Sequence, residues 1–363
     1  MGRRADFGVS WPDVVATWCL GTALDVPEEE AWEALGVLER LWPERLDQVL
    51  RGSAKGLGVM LPLIDLGLSL AACQNLTGFD HVFGRLKEGE GAALSEIKVA
   101  TALANLGYRL LLEPFLEGKR LDALVLVDEN EVYVEVASPE LSDAMKEAYA
   151  GMAALADRLA EENSGTCIDV HLVTEPTRDV LESVVEFIKT STPSSTEVVC
   201  ELPGVAFIRH QMFSENRSSF QPVPISAGRP VLFTEHIGKR IGADVETHVS
   251  VNLPLSDGRA ERLITAEIHH FSPKESNILV LDVTKVPDGI RSWTPLVERR
   301  FQPGRNRRLG AVILFSDGIF KAGILHMWSV LRNPYAYRPP PEPLLNGIAS
   351  LNQMGQLFES RRH

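Results

Sequence analysis

The sequence predicts an α/β protein in which a helix, three strands, a second helix and a further strand follow one another near the middle of the chain. A strong helical segment over Ala92 to Leu106 is stopped by Gly107. Three short apolar segments follow it, and a tight polar connection at 128–130 separates the last two. These segments are Tyr108 to Leu112, Arg120 to Val127 and Glu131 to Val136.

The remaining part of this region is a long alanine-rich helix, Leu141 to Glu162, followed by a strand over Cys167 to Thr174 and a helix over Asp179 to Lys189. A strand, a crossover helix and the next strand normally pair in parallel with a right-handed connection. We therefore expect the strand at 167–174 to join the three-stranded meander in one α/β sandwich.

Both flanks have a different character. The segment Glu28 to Leu41 has apolar residues at the three-and-four spacing of an amphipathic helix, and the run Gly56 to Cys73 is interrupted by Pro62 and Asp65, which favours a buried core helix over a membrane span. Polar segments near 87–91 and 190–196 mark boundaries. We expect an N-terminal helical region over 1–88, the α/β core over 89–190, a β-rich α+β region over 191–345 and a tail over 346–363. The strand-like segments of the third region are Gly204 to Ile208, Pro230 to Phe233, Asn277 to Val283 and Gly310 to Phe315.

Composition excludes several classes of protein. Of 363 residues, 45% are hydrophobic and 23% are charged, which is typical of a folded globular protein rather than a disordered or fibrous one. The net charge of −13 repels a polyanion, so any nucleic-acid contact needs local positive patches. We expect a cytoplasmic protein, because no apolar segment of a secretory signal follows the N-terminus. The dispersed cysteines are expected to be buried thiols; they are Cys19, Cys73, Cys167 and Cys200.

Three carboxylates are the candidate functional residues. Glu96 shares a helix face with Ala93, Ala100 and Leu103, so its side chain either points towards the core or turns out to solvent near the helix start. A two-residue turn at Asp128-Glu129 would pair positions whose numbers sum to 257, which places Asp122 opposite Glu135.

Like charges that face each other across a hairpin are destabilising unless a cation lies between them. Asp122 and Glu135 also interrupt runs that otherwise predict interior strands, and burial of unpaired charges costs several kcal/mol each. A metal or catalytic site is the favoured interpretation. The alternative is a solvated sheet face, against which Leu124, Leu126 and Tyr133 on the same face argue.

The pattern resembles the PD-(D/E)xK nuclease-like superfamily, also called restriction-endonuclease-like, over residues of about 90–190. The resemblance rests on Glu96 in a helix, then Arg120-Leu-Asp122, then Val132-Tyr-Val-Glu135-Val-Ala137, then a long helix and a strand. It implies that Asp122 and Glu135 are metal-binding acids, that Glu96 is the helix glutamate, and that one or two Mg²⁺ or Mn²⁺ ions activate water for phosphodiester hydrolysis.

The superfamily's lysine should stand two residues after the second acid, where this chain has Ala137. The same register predicts that Arg120 lies opposite Ala137 and supplies the missing positive charge, without acting as a general base. The alternative is an ion pair of Arg120 with Asp122 or Glu135 in a site that has become structural. The chain is then a catalytically inactive module that binds nucleic acid or a protein partner.

An arginine-rich segment near the C-terminus is the candidate nucleic-acid contact, although such segments are usually solvated surface. His269-His270 is expected to be packed or exposed rather than metal-binding, because no third ligand lies nearby in sequence. We expect DNA or RNA, or a protein, as the partner, and no membrane. The arginines are Arg299, Arg300, Arg305, Arg307 and Arg308.

Overall fold

The computed structural model describes residues 28–51, 57–139, 143–163, 165–196, 198–213, 231–239, 246–254, 259–286, 289–320 and 323–360. The chain divides into two compact units. Unit 1 contains Met1–Ser138, Glu261–Thr284 and Val297–His363, and unit 2 contains Pro139–Ala260 and Lys285–Leu296. Unit 2 is therefore built mainly from one long segment that interrupts the chain of unit 1.

The fold is mixed α/β, with helices before, between and after the strands. The helices are α1 (Glu28–Leu41), α2 (Pro43–Arg51), α3 (Leu57–Cys73), α4 (Phe79–Lys87), α5 (Gly91–Asn105), α6 (Asp143–Glu162), α7 (Arg178–Thr190), α8 (Arg259–Glu267), α9 (Gly289–Glu298) and α10 (Glu342–Ser360). The strands are β1 (Arg109–Leu112), β2 (Phe115–Leu116), β3 (Lys119–Arg120), β4 (Ala123–Val127), β5 (Asn130–Ala137), β6 (Thr166–Leu172), β7 (Val199–Leu202), β8 (Ala206–Met212), β9 (Val231–Lys239), β10 (Glu246–Pro254), β11 (Ser276–Asp282), β12 (Ala311–Phe320) and β13 (Gly323–Arg332).

Unit 1 is organised around a six-stranded sheet with the order β1-β4-β5-β11-β12-β13. The first three strands form an antiparallel meander, and β11 then pairs in parallel with β5, from Ser276 opposite Val132 to Leu281 opposite Ala137. Every residue of β11 is buried, as expected for a parallel strand covered on both faces. One face packs against helices that include α5, through residues such as Ile97, Leu103, Val125, Val134, Ile278 and Val280.

Unit 2 has a five-stranded sheet with the order β7-β8-β6-β10-β9. Strand β6 pairs in parallel with β10 and antiparallel with β8. One face of this sheet forms an apolar core with α6 and α7. The opposite face carries polar side chains that are buried, among them Asp169 and Arg209, which form an ion pair with 2.7 Å between Nη2 and Oδ2.

The expected single core over 89–190 is wrong. Most of its elements form, but the strand at Thr166–Leu172 belongs to the sheet of unit 2, and the parallel partner of β5 is β11. The C-terminal strands β11 to β13 likewise extend the sheet of unit 1 rather than build a separate β-rich region. The rule for a crossover connection assumes that successive strands share a sheet, and the long segment between Ala137 and Ser276 breaks that assumption.

Other expectations have mixed outcomes. The run that ends at Cys73 is a core helix as predicted, and the described residues include no helix that is long and apolar enough to span a membrane. The predicted tail over 346–363 is largely helical, within α10. Cys73 and Cys167 are buried, whereas Cys200 is exposed, since it lies on the short strand β7. Cys19 lies outside the described residues.

Candidate active site

A tight hairpin turn brings two of the predicted acids together. Strands β4 and β5 pair from Val127 opposite Asn130 to Ala123 opposite Val134, which confirms the predicted register. The two-residue turn places Asp128 at a φ of 53°, a conformation that aspartate tolerates better than most residues. The Val136 N–H donates a hydrogen bond of 2.6 Å to Asp122 Oδ2, so the Asp122 side chain lies against the end of β5.

Asp122 and Glu135 form a side-chain contact with each other that favours the protonated form of Glu135. Burial, and then the negative charge of Asp122, raise the pKa of Glu135 to about 10. Burial also raises the pKa of Asp122, against the lowering effect of the Glu135 hydrogen bond. The Glu135 residue is 7% exposed, which contradicts the alternative of a solvated sheet face. Leu124 and Tyr133 on the same face are buried as well.

Glu96 is the third acid of the cluster. It lies near the start of α5 and is 4% exposed, so its side chain does not turn out to solvent. Burial, followed by repulsion from Asp122, raises the pKa of Glu96 to about 7 and outweighs the opposing effect of Arg85. The three acids that the sequence pattern selected therefore interact with one another in the folded protein.

Arg85, on α4, is the cation bound to this cluster, and sequence reasoning missed it. Its Nη2 hydrogen-bonds Glu96 Oε2 and lies 3.0 Å from Glu113 Oε1. Burial lowers the pKa of Arg85, but the contacts with Glu96, and then the charges of Glu113 and Asp122, raise it above its usual value. The periodicity of α4 shows only that Phe79, Val82, Phe83 and Leu86 are buried. Nothing in that pattern links the polar side of α4 to a hairpin more than thirty residues later in the chain.

Glu113 is a fourth acid, and it too was missed. Its backbone has a φ of 53°, an uncommon conformation that often accompanies functional sites. Its side chain is 7% exposed and contacts Arg85, Arg120 and His81. The distances are 3.0 Å from Arg120 Nη1 and 2.6 Å from His81 Nδ1, both to Glu113 Oε2.

The predicted position of Arg120 opposite Ala137 is wrong. Strands β2 and β3 form their own small hairpin, in which Arg120 pairs with Phe115. The turn of this hairpin has positive φ at Glu117 and Gly118, as type I′ turns require. Arg120 therefore belongs to a separate hairpin that precedes β4, and its ion pair is with Glu113 rather than with Asp122 or Glu135.

The segment that follows α8 borders the acids from another side. His270 Nδ1 lies 3.4 Å from Glu135 Oε1 and 3.2 Å from Glu267 Oε2. The His270 side chain is about half exposed, so the sequence correctly favoured a surface histidine. Its proximity to Glu135 had no signal in the sequence, because it depends on the pairing of β5 with a distant strand.

The arginine segment lies beside this same part of unit 1. Arg300 hydrogen-bonds the Thr265 hydroxyl of α8, and Arg308 Nη1 lies 3.5 Å from the carbonyl oxygen of Phe271. Arg307 stacks on the ring of Tyr337 at 4.3 Å. These three arginines thus have structural partners, while Arg299 and Arg305 are exposed.

The carboxylates of the cluster match a divalent metal site only in part. Within the described ranges, no three His, Cys, Asp or Glu side chains are placed so that they hold an ion together. Glu96 is ion-paired with Arg85, which leaves Asp122 and Glu135 as the two predicted ligands that remain. Two carboxylates are within the number that commonly hold Mg²⁺ together with several waters, with Glu96 outside the ligand set.

A second ionic cluster, of half-buried side chains, lies elsewhere in unit 1. His326 Nδ1 is 2.6 Å from Asp317 Oδ1, and its Nε2 is 3.0 Å from Asp65 Oδ1. Lys98 of α5 also contacts Asp65, at 3.3 Å, and Asp317. This network joins α3, α5, β12 and β13, so two cations balance two carboxylates at the junction of these elements.

Comparison with known proteins gives no relative. No protein-family model, no curated protein and no solved structure matches the chain. The roles of these residues are therefore argued from their geometry and chemistry.

Proposed function

We propose that this protein is a Mg²⁺- or Mn²⁺-dependent phosphodiesterase that acts on nucleic acid, with Asp122 and Glu135 as the metal ligands. The observation that carries the proposal is the side-chain contact between these two acids, a buried Glu135 and a half-buried Asp122 whose Oδ2 accepts the Val136 N–H next to Glu135 in β5. Burial and the charge of Asp122 raise the pKa of Glu135, so the pair holds a proton more tightly than a free glutamate does. Two carboxylates this close need a positive charge between them. A proton supplies that charge in the metal-free protein, and a divalent cation would replace the proton and bind both carboxylates.

The order of elements in unit 1 supports this proposal. Helix α5, the meander β1-β4-β5, helix α8 and the parallel strand β11 follow the order helix, three strands, helix, strand of the PD-(D/E)xK superfamily. In this arrangement the second helix and the fourth strand of the resemblance lie within 259–282, whereas the sequence assigned them to 141–174. Asp122, Glu135 and Glu96 keep the positions that the resemblance implies.

Each residue of the site has a distinct role in the proposed reaction. Asp122 and Glu135 would hold a divalent ion, which would supply water activation and charge stabilisation at the phosphate oxygens. The backbone N–H of Val136 fixes the Asp122 carboxylate. Arg85 provides positive charge beside Glu96, where it stabilises a developing anion but cannot accept a proton. Arg85 thus takes the electrostatic part of the absent lysine, which the sequence assigned to Arg120.

Cleavage assays test the proposal directly. Single- and double-stranded DNA and RNA are incubated with the protein and Mg²⁺ or Mn²⁺. The variant Asp122→Asn, which keeps the shape of the side chain and removes its charge, is expected to abolish cleavage. Asp128→Asn in the turn of the same hairpin is the matched control and should retain activity. Cleavage by the protein that survives Asp122→Asn would contradict the assignment.

The second candidate function is a catalytically inactive module that binds nucleic acid or a protein partner. The contact of Arg85 with Glu96, together with Ala137 at the lysine position, favours it, because an arginine can neutralise the acids without a metal. Calorimetry separates the two candidates. Heat of Mn²⁺ binding that disappears in Asp122→Asn supports the enzyme, and no heat at millimolar Mn²⁺ supports the inactive module.

A further inference from the structure

The small hairpin β2–β3 carries an exposed aromatic ring beside the acid cluster. Phe115 is 69% exposed, although aromatic side chains of this size are usually buried. The guanidinium of Arg120 lies over this ring, 5.1 Å from its centroid. The side chain of Lys119, the neighbour of Arg120 in β3, donates a hydrogen bond of 2.7 Å to the carbonyl oxygen of His269. An aromatic ring and two cations are thus presented on one hairpin.

Arg120 is held in a fixed orientation rather than left mobile. Its Nη1 donates to Glu113 Oε2 at 3.0 Å and to His81 Nε2 at 3.0 Å. Because arginine has no acceptor, His81 Nε2 is the acceptor, and the proton of the imidazole is on Nδ1, which faces Glu113. Both hydrogen bonds of Arg120 within the described part of the chain use Nη1. Its Nε and Nη2 donors remain for a ligand, on a side chain that is 43% exposed.

A continuous set of contacts connects this hairpin to the candidate active site. Phe115 contacts Arg120, Arg120 contacts Glu113, Glu113 contacts Arg85, and Arg85 contacts Glu96. A ligand seated on the ring of Phe115 would therefore lie within a few residues of the carboxylates. Lys119 and Arg120 bring two positive charges to this hairpin, although Glu117 in its turn and the Glu113 carboxylate offset them in part.

We infer that Phe115 and Arg120 form a subsite for one nucleotide of a single-stranded nucleic acid, with the base on the Phe115 ring and its phosphate on Arg120. This inference rests on the proposed function in taking a nucleic-acid strand as the ligand. Only an unpaired base offers its face to an aromatic side chain, whereas a duplex presents base edges in its grooves. The planar guanidinium donates two parallel hydrogen bonds to phosphate oxygens, for which Nε and Nη2 suffice.

Fluorescence anisotropy with the full chain tests this subsite. The probe is a labelled oligothymidylate of about 15 nucleotides, within the footprint of single-strand binding folds, and a blunt duplex of equal length is the competitor. The buffer contains EDTA, so that binding is measured without cleavage. Phe115→Ala and Arg120→Gln are compared with Tyr149→Ala and Arg158→Gln, whose side chains are also exposed, on α6 of unit 2. Circular dichroism confirms that each variant is folded.

We expect the single strand to bind more tightly than the duplex, and Phe115→Ala to weaken its binding about 5- to 100-fold, the equivalent of one stacked base. Arg120→Gln should weaken it too, while both controls change it less than about twofold. A duplex preference, no binding by the unaltered protein, or equal losses in variants and controls would overturn the inference.

Failure of the subsite and failure of the enzymatic proposal have different signatures. A protein that binds oligothymidylate through Phe115 but cleaves nothing keeps the subsite and refutes the phosphodiesterase. A protein whose cleavage depends on Asp122 but not on Phe115 or Arg120 keeps the phosphodiesterase and refutes the subsite.

Discussion

The buried side chain of Glu135 contacts the half-buried carboxylate of Asp122 at the open end of the β4–β5 hairpin, and the raised pKa of Glu135 keeps a proton between the two acids. Such a pair is stable only while it keeps that proton or gains a cation. The pair therefore has consequences for folding that are measurable without any substrate.

The first prediction concerns stability and pH. The pKa of Glu135 is raised from 4.5 to about 10, so the folded protein holds a proton that the unfolded chain releases above pH 4.5. The stability that the folded protein gains from this proton is fully present below pH 4.5 and is lost as the pH rises towards 10. In EDTA, the thermal midpoint should fall between pH 6 and pH 9, and Glu135→Gln should make the fall less steep.

The control for this experiment is Glu129→Gln, in the exposed turn of the same hairpin. Its pH profile should parallel that of the unaltered protein. If Glu135→Gln has that same parallel profile, then Glu135 is not protonated in the folded state.

The second prediction concerns Arg85. Arg85→Leu leaves the buried side chains of Glu96 and Glu113 without this cation. Removal of one partner of a buried ion pair costs about 3 kcal/mol. The pKa of Glu96 is about 7, so the loss of stability should be larger at pH 8, where Glu96 is ionised, than at pH 5. Urea unfolding at both pH values measures the difference.

Arg158→Leu serves as the comparison for Arg85. Arg158 forms ion pairs with Glu162 and Glu182 on the surface of unit 2, and surface pairs contribute at most about 1 kcal/mol. A similar small loss in Arg85→Leu, with no dependence on pH, would show that Arg85 is not needed to neutralise the acids.

The third prediction concerns His326. Hydrogen bonds and ionic contacts with Asp317 and Asp65 raise the pKa of His326 to about 9, although burial opposes them. The stabilisation is full below pH 6.5 and is lost as the pH rises through 9. His326→Gln should therefore lower stability by about 3 kcal/mol at pH 6 and by much less at pH 10. Exposed His269→Gln should have little effect at either pH, and an equal effect of both variants would argue against a charged His326.

The fourth prediction concerns the turn that presents Phe115. A Cβ at Gly118 meets no atom within 4 Å, yet its φ of +80° is a conformation that residues with side chains rarely adopt. Gly118→Ala should cost about 1 kcal/mol and weaken oligothymidylate binding. Gly36 within α1 has equally open surroundings, and Gly36→Ala should stabilise the protein slightly because alanine favours helices. If Gly118→Ala and Gly36→Ala change the stability in the same direction, the turn at Gly118 is not strained.

Local rules predicted the parts of the site that depend on short stretches of chain. The length of the turn at 128–129 fixed the register of β4 and β5 up to Ala123 opposite Val134, which brings the neighbouring residues Asp122 and Glu135 together. The same rule failed for Arg120, because the turn at Glu117 and Gly118 closes a separate hairpin that ends at Arg120, before β4 begins at Ala123. The register set by a turn therefore predicts residue pairs only within the two strands that the turn joins.

Long-range pairing accounts for what the sequence did not predict. Arg85, Glu113 and His270 reach the acids from α4, from the end of β1 and from the segment after α8. A periodicity of two or 3.6 residues describes one strand or one helix, so it does not predict contacts between elements that are far apart in the chain. The partner of β5 was likewise misassigned because β6, the nearest following strand, completes a different sheet.

The pairing of β5 with β11 also constrains how the protein is made. Strand β5 leaves the ribosome well before β11, and its parallel partner exists only once the chain has been synthesised beyond Asp282. Until then the buried edge of β5 has unpaired N–H and C=O groups. We therefore expect the six-stranded sheet of unit 1 to form late in translation, after the five-stranded sheet of unit 2, whose last strand β10 ends at Pro254. Any fragment that ends near residue 190 is expected to aggregate rather than fold.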